Sequence, residues 1–97
     1  MRPVFFTMAA RVEMLDAMGW YDARRGGLGM RFAAEVDVLV ARMAENPQQF
    51  TPAGKGVRRA ALRDFPYGLY FLTKPDLIQV IACFHSIRDP RRWQERR

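Results

Sequence analysis

Apolar residues recur along this chain with two different periods. Met8, Val12, Leu15 and Met18 or Gly19 follow one another at spacings of four and three, which predicts an amphipathic helix running to about Ala23. Thr7 precedes it as the N-cap, its hydroxyl able to accept from an orphan amide of the first turn. Trp20 and Tyr21 thicken the far end. Arg24-Arg25-Gly26-Gly27 closes the helix, because Gly tolerates left-handed backbone and arginine suits the negative helix end. A second helix opens near Leu28 and carries Phe32, Val36, Leu39 and Met43 on one stripe, with Arg31, Glu35, Asp37 and Arg42 mostly off it. Asn46-Pro47 stops it. The two helices, joined by a short link, form an antiparallel hairpin.

Beyond that point the period shortens to two. Three β-type runs are separated by Asp64-Phe65-Pro66 and Lys74-Pro75-Asp76 and read as an antiparallel meander. In the last run Ile78, Val80, Ala82 and Phe84 are all apolar and predict the face that the helices cover. The alternate set of Leu77, Gln79, Ile81 and Cys83, ending at His85, predicts a partly polar outer face. Pro3-Val4-Phe5-Phe6 reads as a first strand or an extended arm on the sheet. Residues 48–56 hold Pro52, Gly54 and Gly56 and few large apolar side chains, so they read as a crossing loop. The expected fold is therefore α+β in the order β-α-α-β-β-β, an N-terminal helical hairpin packed on one face of a small antiparallel sheet. A single domain over residues 1–97 is expected, with 93–97 as a frayed tail.

Charge sharpens this picture. The net charge is +6, and residues 1–53 carry six Arg against six acids whereas residues 54–97 carry ten Lys or Arg against four acids. The whole excess lies on the meander and tail, which points to an anionic partner: nucleic acid, an acidic protein segment or a membrane surface. Fourteen of the sixteen cationic side chains are Arg, a choice that favours bidentate contacts to phosphate or carboxylate. No apolar run reaches spanning length and Met1 to Thr7 is too short for a signal h-region, so a cytoplasmic protein without a membrane partner is expected. The lone Cys83 leaves no internal disulfide and fits a reducing compartment.

Candidate chemistry is sparse. One His and one Cys fall short of a metal site, and Gly26-Gly27-Leu28-Gly29 lacks the strand and Lys of a phosphate loop, so neither metal nor cofactor is expected. Cys83 with His85 beside it would make a nucleophile, but a small hydrophobe in a strand accounts for it more simply. His85 titrates near neutrality and is the candidate acid or base. Arg58, Arg59, Arg63 and Arg88 are expected to gather around it, Arg59 and Arg63 sharing a face. Such a cluster binds a phosphodiester or carboxylates, with Arg91 and Arg92 extending it; an ordinary solvated face is the alternative. Arg88-Asp89-Pro90 reads as a turn, and Trp93 as an anchor for the tail or an exposed docking side chain.

Four motifs in consistent order carry a resemblance. Trp20-Tyr21, Gly27-Leu28-Gly29, Phe65-Pro66-Tyr67-Gly68-Leu69-Tyr70 and His85-x-x-Arg88-Asp89-Pro90-x-x-Trp93 resemble the ParE/RelE superfamily of toxins from type II toxin-antitoxin modules, across about residues 4 to 96. Trp20, Tyr67 and Trp93 would be its structural anchors. The resemblance implies two helices on a small antiparallel sheet, and a prokaryotic cytoplasmic protein that arrests growth. It further implies a cognate antitoxin whose disordered C-terminal segment folds onto the toxin as a hetero-oligomer, in a groove built from the helical hairpin and a sheet edge.

The superfamily divides by target. ParE-like members bind and inhibit DNA gyrase; RelE-like members cleave messenger RNA in the ribosome, using basic residues and a Tyr or His on the ribose hydroxyl. Gly68 stands where the nucleases tend to place Arg, and Ser86-Ile87 follow His85 where a terminal Tyr is often found. Gyrase inhibition is therefore the leading expectation. The alternatives are a ribosome-dependent endonuclease with His85, Arg88 and Arg63 as its catalytic set, and a non-toxic basic protein-binding module.

Overall fold

Thr7 is the residue at which the chain turns from strand to helix. Its backbone is extended and its hydroxyl accepts from the Ala10 amide at 3.1 Å, as an N-cap requires. The computed structural model describes residues 1–86. Strand β1 (Val4–Phe6) leads into helix α1 (Met8–Arg24); three residues later α2 begins (Leu28–Glu45). A short 3-10 turn at Pro47–Gln49 then delivers the chain to β2 (Thr51–Gly54), β3 (Val57–Ala61), β4 (Tyr67–Thr73) and β5 (Ile78–His85).

The strands form one five-stranded sheet in the order β1-β5-β4-β3-β2. The meander β2 to β5 is antiparallel, as expected, while β1 joins the edge of β5 in parallel with Val4 opposite Ile78. The arm is thus a true strand and the sheet is mixed. The segment expected as a crossing loop also contains a strand: Thr51 to Gly54 pair with β3, and Gly54, Lys55 and Gly56, all at positive φ, make the hairpin turn. Proline hid it, yet an edge strand tolerates Pro52 because one side of its backbone needs no partner.

The stripe of α2 packs as expected, with Phe32, Val36, Leu39 and Met43 all buried. That of α1 does not. Met8 is 76% exposed, Val12 47% and Leu15 53%, while Ala10 and Ala17 are buried, with Met14, Met18 and Tyr21 packed beside them. Two apolar stripes interleave on this helix, and the one with the smaller side chains faces inward. Small residues let α1 lie close to the sheet and to α2. At the hairpin itself, a Cβ on Gly29 would stand 2.9 Å from the Met18 carbonyl oxygen. Asp22 Oδ1 meanwhile accepts from the amides of Gly27 and Gly29 at 3.1 and 2.8 Å, satisfying two orphan donors at the start of α2.

The last strand departs from simple alternation. Tyr70 pairs with Ala82 but Phe71 pairs with Val80, so Ile81 is an extra residue, a β-bulge. Ile78, Val80 and Cys83 consequently face the helices, whereas Ile81, Ala82 and Phe84 face the other way. The expected core set of Ile78, Val80, Ala82 and Phe84 is split between the two faces. Nor is the second face an open polar surface: Val57, Tyr70, Ile81, Ala82 and Phe84 form a small buried cluster of their own. Both sides of the sheet are therefore apolar, and charged side chains are confined to its rims.

Candidate functional site: dispersed arginines and an aromatic cleft

Strand alternation in β3 sends neighbouring arginines to opposite faces. Arg58 points to the helix side, where Nη1 donates to the Phe50 carbonyl and Nη2 to Gln48 Oε1, both at 2.7 Å. It ties the segment before β2 back onto β3. Arg59 lies on the second face, where Nε donates to Tyr70 Oη at 3.2 Å. Its guanidinium crosses Gly68, occupying the space above that residue: a Cβ there would meet Nε at 2.8 Å.

Arg63 does not share the face of Arg59. It lies past the end of β3 in the turn that leads to β4, where its amide and that of Asp64 donate to the Glu35 carboxylate at 2.6 and 3.1 Å. Arg31 pairs with Asp64 at 3.2 Å on the same side. The turn is thereby pinned to α2, and the Arg63 side chain is left exposed. Arg88, Arg91, Arg92 and Trp93 lie outside the described residues.

His85 closes β5 on the helix side, away from Arg59. Its ring meets Tyr67 edge to face at 5.3 Å, and Tyr67 stacks onward against Phe32 and Tyr21. Tyr67 is thus packed into the aromatic core, as an anchor would be. Trp20 is half exposed, 4.9 Å from the Tyr21 ring, and carries the Arg24 guanidinium 3.5 Å above its own.

Together His85, Tyr67, Tyr21 and Trp20 line a cleft of about 420 Å³ with Glu13, Asp16 and Ala17 of α1. Glu13 Oε1 accepts from the Cys83 amide at 3.1 Å. Burial first, and the charge of a Tyr67 phenolate second, hold the Tyr21 hydroxyl above its ordinary pKa.

The neighbours of His85 are thus carboxylates and aromatic rings rather than the expected arginines. An acidic, aromatic cleft suits a cation or a hydrogen-bond donor, and repels a phosphodiester. Glu13 and Asp16 were missed from the sequence, although their spacing to Trp20, three and seven residues along one helical face, held the signal. Among the described residues, no three His, Cys, Asp or Glu side chains converge as a metal site would require, and no helix is long and apolar enough to cross a membrane.

No family model matches the chain. It is 27% identical over 79 residues to proteins named Toxin ParE2 from two strains of Mycobacterium tuberculosis, CDC 1551 / Oshkosh and H37Rv, an alignment spanning 80% of this chain and 75% of each relative. In three dimensions it is similar to a chain of the chromosomal ParDE TA system from P. aeruginosa, with a TM-score of 0.76 at 18% identity, over 88% of this chain and 96% of that one. The second likeness concerns the fold; the first concerns the sequence. Taken with the motifs that run in order from Trp20 to His85, they identify the chain as a member of the ParE/RelE superfamily of toxins from type II toxin-antitoxin modules.

Proposed function

We propose that this chain is a ParE-like toxin that arrests growth by binding DNA gyrase and inhibiting it, and that a cognate antitoxin neutralises it in a prokaryotic cytoplasm. One observation carries the choice of binding over cleavage: His85 and Arg59 stand on opposite faces of the sheet. A ribonuclease site needs an acid or base and a phosphate clamp within hydrogen-bond reach of one reacting group. Here the imidazole shares its cleft with Glu13 and Asp16, while Arg58 is spent on the Phe50 carbonyl and Gln48. The likeness to two chains named Toxin ParE2 points the same way.

Arg59 and, outside the described residues, Arg88, Arg91 and Arg92 are the candidates for contacting the target. Arginine at such a surface recognises carboxylates as readily as phosphates, so no nucleic acid need be bound. A supercoiling assay with purified gyrase tests the proposal. Saturating amounts of the chain should abolish the supercoiling of relaxed plasmid, and undiminished supercoiling would refute it.

A further inference from the structure

The outer side of α2 carries an apolar line that nothing in the described fold covers. Met30 is 78% exposed and Val38 59%, with exposed Ala34 midway between them. The three sit at i, i+4 and i+8, so the line runs about 12 Å along the helix. Beside it the chain leaving β3 forms a second wall, and Ala34, Val38, Leu39 and Ala61 enclose a trough of about 340 Å³ with Arg42 and Arg63 at its rim.

We infer that this trough between α2 and the end of β3 docks an acidic amphipathic segment of the cognate antitoxin. The inference rests on the toxin-antitoxin reading and names the surface and partner chemistry within it. The floor is apolar and takes apolar side chains, which a nucleic acid backbone does not supply. The rim is cationic in excess. Arg63's guanidinium makes no hydrogen bond or ion pair among the described residues. Arg42 donates to a neutral acceptor, Gln49 Oε1, at 3.2 and 2.9 Å, and lies over Phe50.

The carboxylate in the trough, Glu35, is held by the amides of Arg63 and Asp64 and faces the turn rather than a ligand. Apolar residues flanked by carboxylates at a spacing that reaches both arginines would match this surface. The exposed stripe of α1 at Met8, Val12 and Leu15 is equally apolar, but its helix carries Glu13 and Asp16 between those positions, which oppose an acidic partner.

Calorimetric titration of the whole chain with the whole cognate antitoxin decides the matter. Val38→Asp and Arg63→Glu should each weaken binding by about tenfold or more, Arg63→Lys should recover most of the loss, and Val12→Asp should bind as the parent does. All four positions are solvent-facing, so circular dichroism should report an intact fold in each variant. Parental affinity in Val38→Asp overturns the inference, whether or not Arg63→Glu weakens, since a charged rim alone is then sufficient. Weakening confined to Val12→Asp overturns it in favour of the α1 stripe. If the parent chain inhibits gyrase but fails to bind the antitoxin, the trough falls and the toxin assignment stands; if it does neither, both fall.

Discussion

Arg59 occupies the space that a side chain at Gly68 would fill, its Nε 2.8 Å from where that Cβ would stand. The two residues sit diagonally on the second face of neighbouring strands, with Tyr70 directly opposite Arg59. An arginine at position 68 is part of the nuclease pattern of this superfamily, so here one cationic group takes up room where another would be. Gly68→Ala should push the guanidinium off Tyr70. The far end of an arginine yields easily, so the cost should stay within about 0.5–1.5 kcal/mol, the scale of one hydrogen bond. Chemical denaturation gives the cost, and the Arg59 Nε–H resonance should shift markedly; an unmoved resonance would mean that the contact does not hold in solution.

Gly29 behaves differently, because the atom its Cβ would strike is backbone. The Met18 carbonyl oxygen, at 2.9 Å, belongs to α1 and cannot rotate away. Gly29→Ala should cost about 1–3 kcal/mol despite Ala's better helix propensity, through forced separation of the hairpin. Asp22→Ala should cost a similar amount by orphaning two amides of α2. Urea denaturation of both variants measures this, and an Ala at position 29 that stabilises the chain would contradict the close crossing.

The second face offers a larger effect. Phe84 is 1% exposed within the cluster of Val57, Tyr70, Ile81 and Ala82. Phe84→Ala should cost about 3–5 kcal/mol, comparable with Phe32→Ala on the helix side. A loss below about 0.5 kcal/mol, typical of surface positions, would mean that this face is open after all.

Tyr21 sets the alkaline limit. Folding raises its pKa, so the folded chain keeps this proton after the unfolded chain has begun to release it near 10.0. The native state then binds more protons, and its stability, complete below that pH, falls as pH rises toward the folded value. Absorbance at the phenolate band should show Tyr21 ionising after an exposed tyrosine would, and Tyr21→Phe should flatten the alkaline loss of stability. Ionisation of Tyr21 at the ordinary value in the folded chain would contradict the packing.

The sequence made α2 fully legible because its inward side chains are also its large ones. On α1 size misled: Met8, Val12 and Leu15 outweigh Ala10 and Ala17, yet close packing against the sheet selects the smaller stripe. The Thr7 cap, the stop at Asn46-Pro47 and the three meander strands were readable from local chemistry alone. The bulge at Ile81 was not, since a one-residue register shift leaves no mark on composition while flipping every side chain after it. The site suffered most from this, because His85 lies beyond the bulge. Alternation carried through residues 78–85 without interruption would place it with Arg59, whereas the extra residue turns it toward Glu13 and Asp16.

Binding rather than cleavage is the central claim, and primer extension on translated transcripts from cells arrested by the chain tests it most directly. The account predicts that growth stops while those transcripts stay full length. Cuts at ribosome-positioned sites that disappear in His85→Ala would contradict it.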